Sequence, residues 1–158
     1  AVAGHDRKEA NRRESPILQL VWRSAYRCGE ASIDREHQEL FERSNALIQS
    51  VVASEGNGNR RLEAIDQLIA SVVAHFSNEE AVLARCGYAG LEAHALQHQR
   101  LVTQARRLSE RAATGDLSLG EVVSFVALDV VVSHLLHEDR KFFPLLKSQS
   151  QLQKEAAS

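Results

Sequence analysis

The chain has 158 residues, with 8 Gly, 2 Pro, 2 Cys and a formal net charge of −2. That is one domain's worth of sequence. It has too few breakers for the closely spaced turns of a sandwich or barrel, too few cysteines for a disulfide scaffold, and no basic excess to suggest a nucleic-acid surface. Hydrophobic content of 44% and charged content of 25% fit a soluble globular protein, a reducing cytoplasmic setting is expected, and the count that stands out is histidine, with six of 7 after residue 36.

Residues 1–16 are polar and charged and read as a linker or connector from a preceding region. The start at Ala1 and the absence of Met fit a removed initiator or a piece cut from a longer protein. No apolar signal core is present. The segment 17–147 is expected to be the globular part. It opens with an apolar, aromatic arm from Ile17 to Tyr26 that holds the single Trp, Trp22, and Cys28-Gly29 marks a turn.

The first helix is expected to begin near Ser32–Asp34, either of which could cap it. Its apolar positions (Ile33, His37, Leu40, Phe41, Ser44, Leu47, Ile48, Val51) recur at helical spacing. It ends before Gly56-Asn57-Gly58-Asn59. A second helix runs from about Arg60 to Arg85, with Gly87 placed for a left-handed C-cap. A third runs from about Leu91 to Ala113.

Ser118-Leu119-Gly120-Glu121 has the form of a capping box and starts the fourth helix, which continues to Phe143, where Pro144 kinks or stops it. Its nearest approach to a membrane span, Val122 to Leu136, is interrupted by Ser124, Asp129, Ser133 and His134, so no membrane contact is expected. Residues 148–158 read as a polar tail or linker that frays. Four long helices joined by short loops predict an all-α fold, an up-down-up-down antiparallel four-helix bundle with an N-terminal aromatic arm.

The histidines fall where a bundle would use them. Residues four apart on a helix differ by about 40° and about 6 Å, so both side chains reach one centre. The second helix carries His75 and Glu79 at that spacing, and the third carries His94 and His98. The first carries His37 on its apolar stripe, and the fourth carries His134 with Glu138 and Asp139 beyond it. Each motif alone reads more readily as a satisfied half-buried His, surface composition or a solvated charged face than as a ligand. Together they give every helix an inward imidazole, which points to metal. H-E-x-x-H is absent, which excludes a zinc-protease reading, and Glu-x-x-His is absent, which excludes the carboxylate-rich sites of ferritin-like oxidases. The set is His-rich, suits Fe, Cu, Zn or Ni, and is large enough for a pair of ions. Ideal geometry selects Glu138, four residues beyond His134. Asp139, five beyond, lies about 140° away on an ideal helix.

The chain resembles a bacterial hemerythrin-like domain over about residues 20–147. The resemblance is carried by Trp22, Tyr26, Gly29, Ile33-Asp34, His37 and Leu40-Phe41, then by His75-Phe76, Glu79-Glu80 and Gly87-Tyr88, then by His94, His98, His134-Leu135 and Asp139. It implies two iron ions in a non-haem di-iron centre, oxo- or hydroxo-bridged when oxidised, that binds O2 reversibly. By that analogy His94, His98 and His134 hold one iron, His37 and His75 hold the other, which keeps an open position, and Glu79 and Asp139 bridge. A π-type bulge would reconcile Asp139 with helical geometry. Phe76, Val130, Val131 and Leu135 would line the O2 pocket. Val130 and Val131 stand where the family often has Trp, Leu83-Ala84 where it has Met, and Phe142 where it has Tyr. The smaller valines should open the pocket and hasten autoxidation. His5 and His137 match no ligand position and are expected to face solvent, and Cys28 and Cys86 to pack.

The leading function is therefore O2 binding, with oxygen or redox sensing in a larger bacterial signalling protein favoured by the connector-like ends, and an output domain in the same chain expected. NO, azide and other small anions are further candidate ligands. The alternatives are O2 storage, a di-iron enzyme handling peroxide or nitric oxide, and a metal-free interaction module. The apolar neighbours of the site offer no acid and weigh against an enzyme.

Overall fold

The computed structural model describes residues 18–53 and 58–158. The connector 1–16 and the Gly56-Asn57 half of the first loop lie outside the described residues, as does His5.

The arm enters along the first helix, α1 (Ala31–Ala53). Asn45 holds it from both sides: the Leu20 N–H donates to Asn45 Oδ1 at 2.8 Å, and Asn45 Nδ2 donates to the Leu20 carbonyl at 2.8 Å. A 3-10 turn at Ser24–Tyr26 follows. Trp22 packs edge-on to Phe41 at 5.3 Å and to Tyr26 at 5.7 Å, so the arm's aromatic rings close one side of the bundle.

The start of α1 differs from the expected capping. Glu30, not Ser32 or Asp34, takes the free amides: its Oε2 accepts from Ser32 N at 2.8 Å and Ile33 N at 3.0 Å. Asp34 instead reaches back to the Cys28 amide at 2.7 Å, pinning the entry turn to the helix. That turn needs Gly29, which has φ +94° and a missing Cβ that would meet Lys147 Cγ at 3.2 Å. Of the eight apolar-stripe positions in α1, all but Val51 are buried.

α2 (Gly58–Arg85) buries Ile65, Leu68, Val72, His75, Phe76, Glu79, Val82 and Leu83. It ends in a Schellman motif: Tyr88 N donates to Leu83 O and Gly87 N to Ala84 O, with Gly87 at φ +68°. α3 (Leu91–Ala113) buries His94, His98, Leu101, Ala105 and Ala112. α4 (Leu119–Lys141) begins at the Ser118/Glu121 capping box, which is fully formed. α1 packs on α2, α2 on α3, and α4 closes the bundle against α1 and α3.

α4 takes the π-type geometry that Asp139 calls for, over a longer stretch than a bulge, and departs from expectation in its end and its apolar character. After one α-helical turn it becomes a π-helix over Ser124–Glu138, then tightens to 3-10 geometry at Asp139–Lys141. It stops at Lys141, before Pro144. Pro144 lies in the first turn of a further helix, α5 (Phe143–Ala156), where its missing N–H costs no helical bond. The tail expected to fray is thus helical to Ala156, anchored by buried Phe143 and Leu146. Finally, α4 is long and apolar enough to cross a membrane by length and composition, with a mean hydropathy of 1.8. The four interrupting polar residues do not prevent that. Here Val122, Phe125, Val126, Val130, Val131 and Leu135 pack into the bundle, while Leu128 and Val132 face outward.

Two apolar clusters result. The larger contains Leu40, Phe41, Leu68, Val72, Phe76, Leu101, Val130 and Leu135 among others. The smaller joins Cys28, Ile33, Val82, Leu83, Phe142, Phe143 and Leu146 under α5. Along α1 and α2, and from α4 into Phe142, the chain passes from one cluster to the other, and the buried polar residues lie at that crossing. His37 sits between Ile33 and Leu40, Glu79 between Phe76 and Val82, His98 before Leu101, and Asp139 between Leu135 and Phe142.

Candidate metal centre

The seven residues predicted from sequence (His37, His75, Glu79, His94, His98, His134, Asp139) are all buried, none more than 3% exposed. They meet in one polar layer as two groups. Glu79, His94, His98, His134 and Asp139 form one, and His37, His75, Glu79 and Asp139 the other, with ligand atoms inside each group within 4.8 Å of one another. Both carboxylates belong to both groups.

Each carboxylate turns one oxygen to each group. Glu79 Oε1 lies 2.7 Å from His94 Nε2 and 3.3 Å from His98 Nε2, while Oε2 lies 3.4 Å from His37 Nε2 and 3.3 Å from His75 Nε2. Asp139 Oδ1 lies 3.3 Å from His94 and 3.1 Å from His134, and Oδ2 lies 3.3 Å from His37. The imidazoles also converge, with Nε2 of His37 and His75 at 3.1 Å and Nε2 of His98 and His134 at 2.9 Å. Glu79 Oε2 and both Asp139 oxygens are buried with no hydrogen-bond partner. Buried carboxylate oxygens without donors are costly, and nitrogen lone pairs pointing at each other repel. Cations between these atoms remove both penalties, and imidazole with carboxylate is a donor set for a divalent transition metal.

Without metal, protons do part of that work. Burial disfavours the charged form of His75, but the hydrogen bond to Glu36 and the nearby Glu79 carboxylate outweigh it and hold its pKa at about 9. His37 is raised in the same way against burial by Asp139 and Glu79, and His94 by Glu79 and Asp139. Burial pushes His134 the other way, to about 4, despite the Asp139 carboxylate. Glu79 is held well below the usual carboxylate range, because its imidazole neighbours overcome its burial.

Glu138, the choice of ideal geometry, points away. It accepts from Gln97 Nε2 at 3.0 Å and from Lys141. His137 is exposed. Phe76, Val130, Val131 and Leu135 are buried. Phe76 lies flat on His98, with ring centres 3.7 Å apart and planes 4° from parallel, and edge-on to His134 at 5.3 Å. Cys28 is buried, and burial pushes its thiol pKa up, as expected of a packing residue. Sequence reasoning missed Glu36, Asn78 and the role of Glu80, which hydrogen-bond to the outer nitrogens of His75 and His98 or to one another. The signal was available: Glu36 and Glu80 each adjoin a predicted inner residue.

Residues 28–146 match the family model described as Hemerythrin HHE cation binding domain. The chain belongs to the hemerythrin family. It is similar to the bacteriohemerythrin of Methylococcus capsulatus (29% identical over 115 residues, 73% of this chain and 86% of that one). It is also similar to the bacteriohemerythrin of Clostridium acetobutylicum (28% identical over 128 residues, 78% of this chain and 98% of that one). The myohemerythrin of Riftia pachyptila is 28% identical over 89 residues, which are 56% of this chain and 68% of that one. A crystal structure of wild-type hemerythrin superposes with a TM-score of 0.72 at 27% identity, covering 82% of this chain and 99% of that one. Hemerythrins bind O2 rather than act as enzymes, and the buried His/Glu/Asp cluster of this chain fits a metal site.

Proposed function

We propose that this hemerythrin-family chain binds O2 reversibly at a non-haem di-iron centre, with His94, His98 and His134 holding one iron, His37 and His75 the other, and Glu79 and Asp139 bridging. The observation that carries the reading is the split of both carboxylates, one oxygen toward each imidazole group. An unequal division of imidazoles, three against two, supports an open position on the second iron. Bound iron would supply electrons to O2 and recover them on release. The chain's own part is to hold the ions rigidly through five imidazoles and to keep water and protons away with Phe76, Val130, Val131 and Leu135. Such walls favour release of O2 over its reduction.

Within that function we favour sensing, in the cytoplasm and with an output region in the same full-length chain, over storage. Phe142 touches His94 edge-on at 5.4 Å, and α5 starts at the next residue and leaves the bundle mostly exposed. A change at the site therefore has a short mechanical path to the C-terminal end. The two free cysteines suit a reducing compartment.

Metal analysis with absorption spectra of the reduced and air-exposed protein tests the O2 reading. Two irons per chain and a charge-transfer band that appears with O2 and leaves on degassing are expected. A chain that takes up no iron, or whose band never reverses, overturns it. Hydrogen exchange in α5 that is identical with and without O2 would argue for storage.

A further inference from the structure

Two carboxylates outside the seven-residue cluster are bonded directly to it. Glu36 Oε2 lies 3.0 Å from His75 Nδ1, and Glu80 Oε1 lies 2.7 Å from His98 Nδ1. A carboxylate only accepts, so each ring carries a proton on Nδ1, which leaves Nε2 as the nitrogen that faces the metal position. Their placement follows from the helix. Glu36 adjoins His37 and Glu80 adjoins Glu79, a step of about 100° around the axis, which swings each from the bundle interior to the seam with the next helix. Glu36 thus ties α1 to α2, and Glu80 ties α2 to α3.

The two are not equivalent. Asn78 Nδ2 donates to both oxygens of Glu36, at 3.0 and 3.1 Å, and lies 3.2 Å from Ser32 Oγ. Glu36 is therefore fixed in a network that spans the α1–α2 seam. Glu80 has His98 as its hydrogen-bond partner and is the more exposed, 37% against 25%. The imidazoles they orient also weigh differently: His75 is one of two in its group, His98 one of three.

We propose that Glu36 and Glu80 are positioning residues for separate metal positions, Glu36 for the His37/His75 position and Glu80 for the His94/His98/His134 position, with Glu36 the more critical. This rests on the metal reading above. Loss of such an outer partner costs a site about 10–100-fold in metal affinity. Removing Glu36 should fall at the top of that range and at one position only. Removing Glu80 should fall near the bottom, because two other imidazoles remain in place.

The test is anaerobic titration of metal-free protein with Fe(II) against a competing chelator, read as ions retained per chain, for wild type and for Glu36→Ala, Glu36→Gln, Glu80→Ala and Glu80→Gln. Cobalt(II), whose visible spectrum reports coordination, serves as a second probe. Wild type should retain two ions. Glu36→Ala should retain one under the same challenge, and Glu36→Gln should recover most of the second, because its amide oxygen still accepts from Nδ1–H. Glu80→Ala should lower affinity about tenfold with both ions still present at excess metal. If Glu36→Ala does not fold, Asn78→Ala replaces it: unclamping the carboxylate should weaken the same single position. Glu36→Ala, or in its place Asn78→Ala, holding both ions with wild-type affinity, or losing both equally, overturns the proposal. Wild type that binds no ion would instead overturn the metal reading itself.

Discussion

The backbone N–H of Asp139 donates to the carbonyl of His134, and the side chains of the same two residues meet at 3.1 Å. The two contacts have one cause. An α-helical turn would bond residue 138 to 134 and bring Glu138 into line with His134. The π-helical turn bonds 139 to 134, so residues five apart share a face. The extra residue in the turn exchanges one carboxylate for another, sending Asp139 inward and Glu138 out to Gln97 and Lys141.

Asp139→Ala should therefore lose iron while Glu138→Ala keeps it. We expect at most one of two irons to survive purification in the first variant and both in the second, counted by elemental analysis. Full iron in Asp139→Ala would contradict the assignment of the second bridge.

At the other end of α4, Ser118 accepts from the Glu121 amide, and Glu121 Oε2 accepts from the Ser118 amide at 3.0 Å. Removing the hydroxyl costs about 1 kcal/mol. For a chain of this size that is about 3 °C of melting temperature. Ser118→Ala should show that loss in thermal unfolding with metal content unchanged, because the box sits several turns from His134. A fall in iron content would show the two ends of α4 to be coupled.

The pattern of legible and illegible features has physical reasons. The stripe of α1 and the bounds of α3 followed from the period of apolar residues and from short breakers, which are local signals. The inward histidines were legible for the same reason. What failed depended on a choice between near-equal local options. Glu30, Ser32 and Asp34 can all serve the free amides at the start of α1, and the neighbouring Cys28 amide drew Asp34 away. Pro144 can end one helix or open the next, and buried Phe143 and Leu146 decided for the second. The choice between Glu138 and Asp139 depended on the turn type of α4, which periodicity alone assumes rather than reveals. Glu36 and Glu80 read as ordinary surface charges because their partners lie on other helices.

Phe76 is a wall of the site as well as a core residue. It is buried and stacked flat on His98. Phe76→Ala should destabilise the protein by about 3–5 kcal/mol through lost burial and the cavity left behind. It should also admit water beside the imidazoles. Denaturant unfolding checks the first effect. The decay of the oxygenated protein in air checks the second, and it should be several-fold faster than in wild type. Unchanged decay would remove Phe76 from the O2 pocket.

The buried histidines make stability of the metal-free protein depend on pH in both directions. His75 has its pKa raised to about 9 from an ordinary 6.5, so the native state holds its proton more tightly than the unfolded chain does. Its contribution, about 3 kcal/mol, is fully present below pH 6.5 and is lost as pH rises through about 9. His134 has the opposite sign. Its pKa is lowered to about 4, so the unfolded chain takes up the proton first, and a penalty of similar size grows as pH falls from about 6.5 toward 4. Metal-free protein should therefore be most stable near pH 6.5 and weaken on both sides, as read by denaturant midpoints across the range. Metal changes the alkaline limb. An ion needs the inward nitrogen of His75 unprotonated, so loading at pH 7 must expel the proton it holds. Calorimetric titration with Zn(II) in buffers of different ionisation heat should show release of at least one proton per chain, and the alkaline loss of stability should disappear in the loaded protein. Loading heats that do not vary with the buffer would show that His75 is already neutral when the metal arrives.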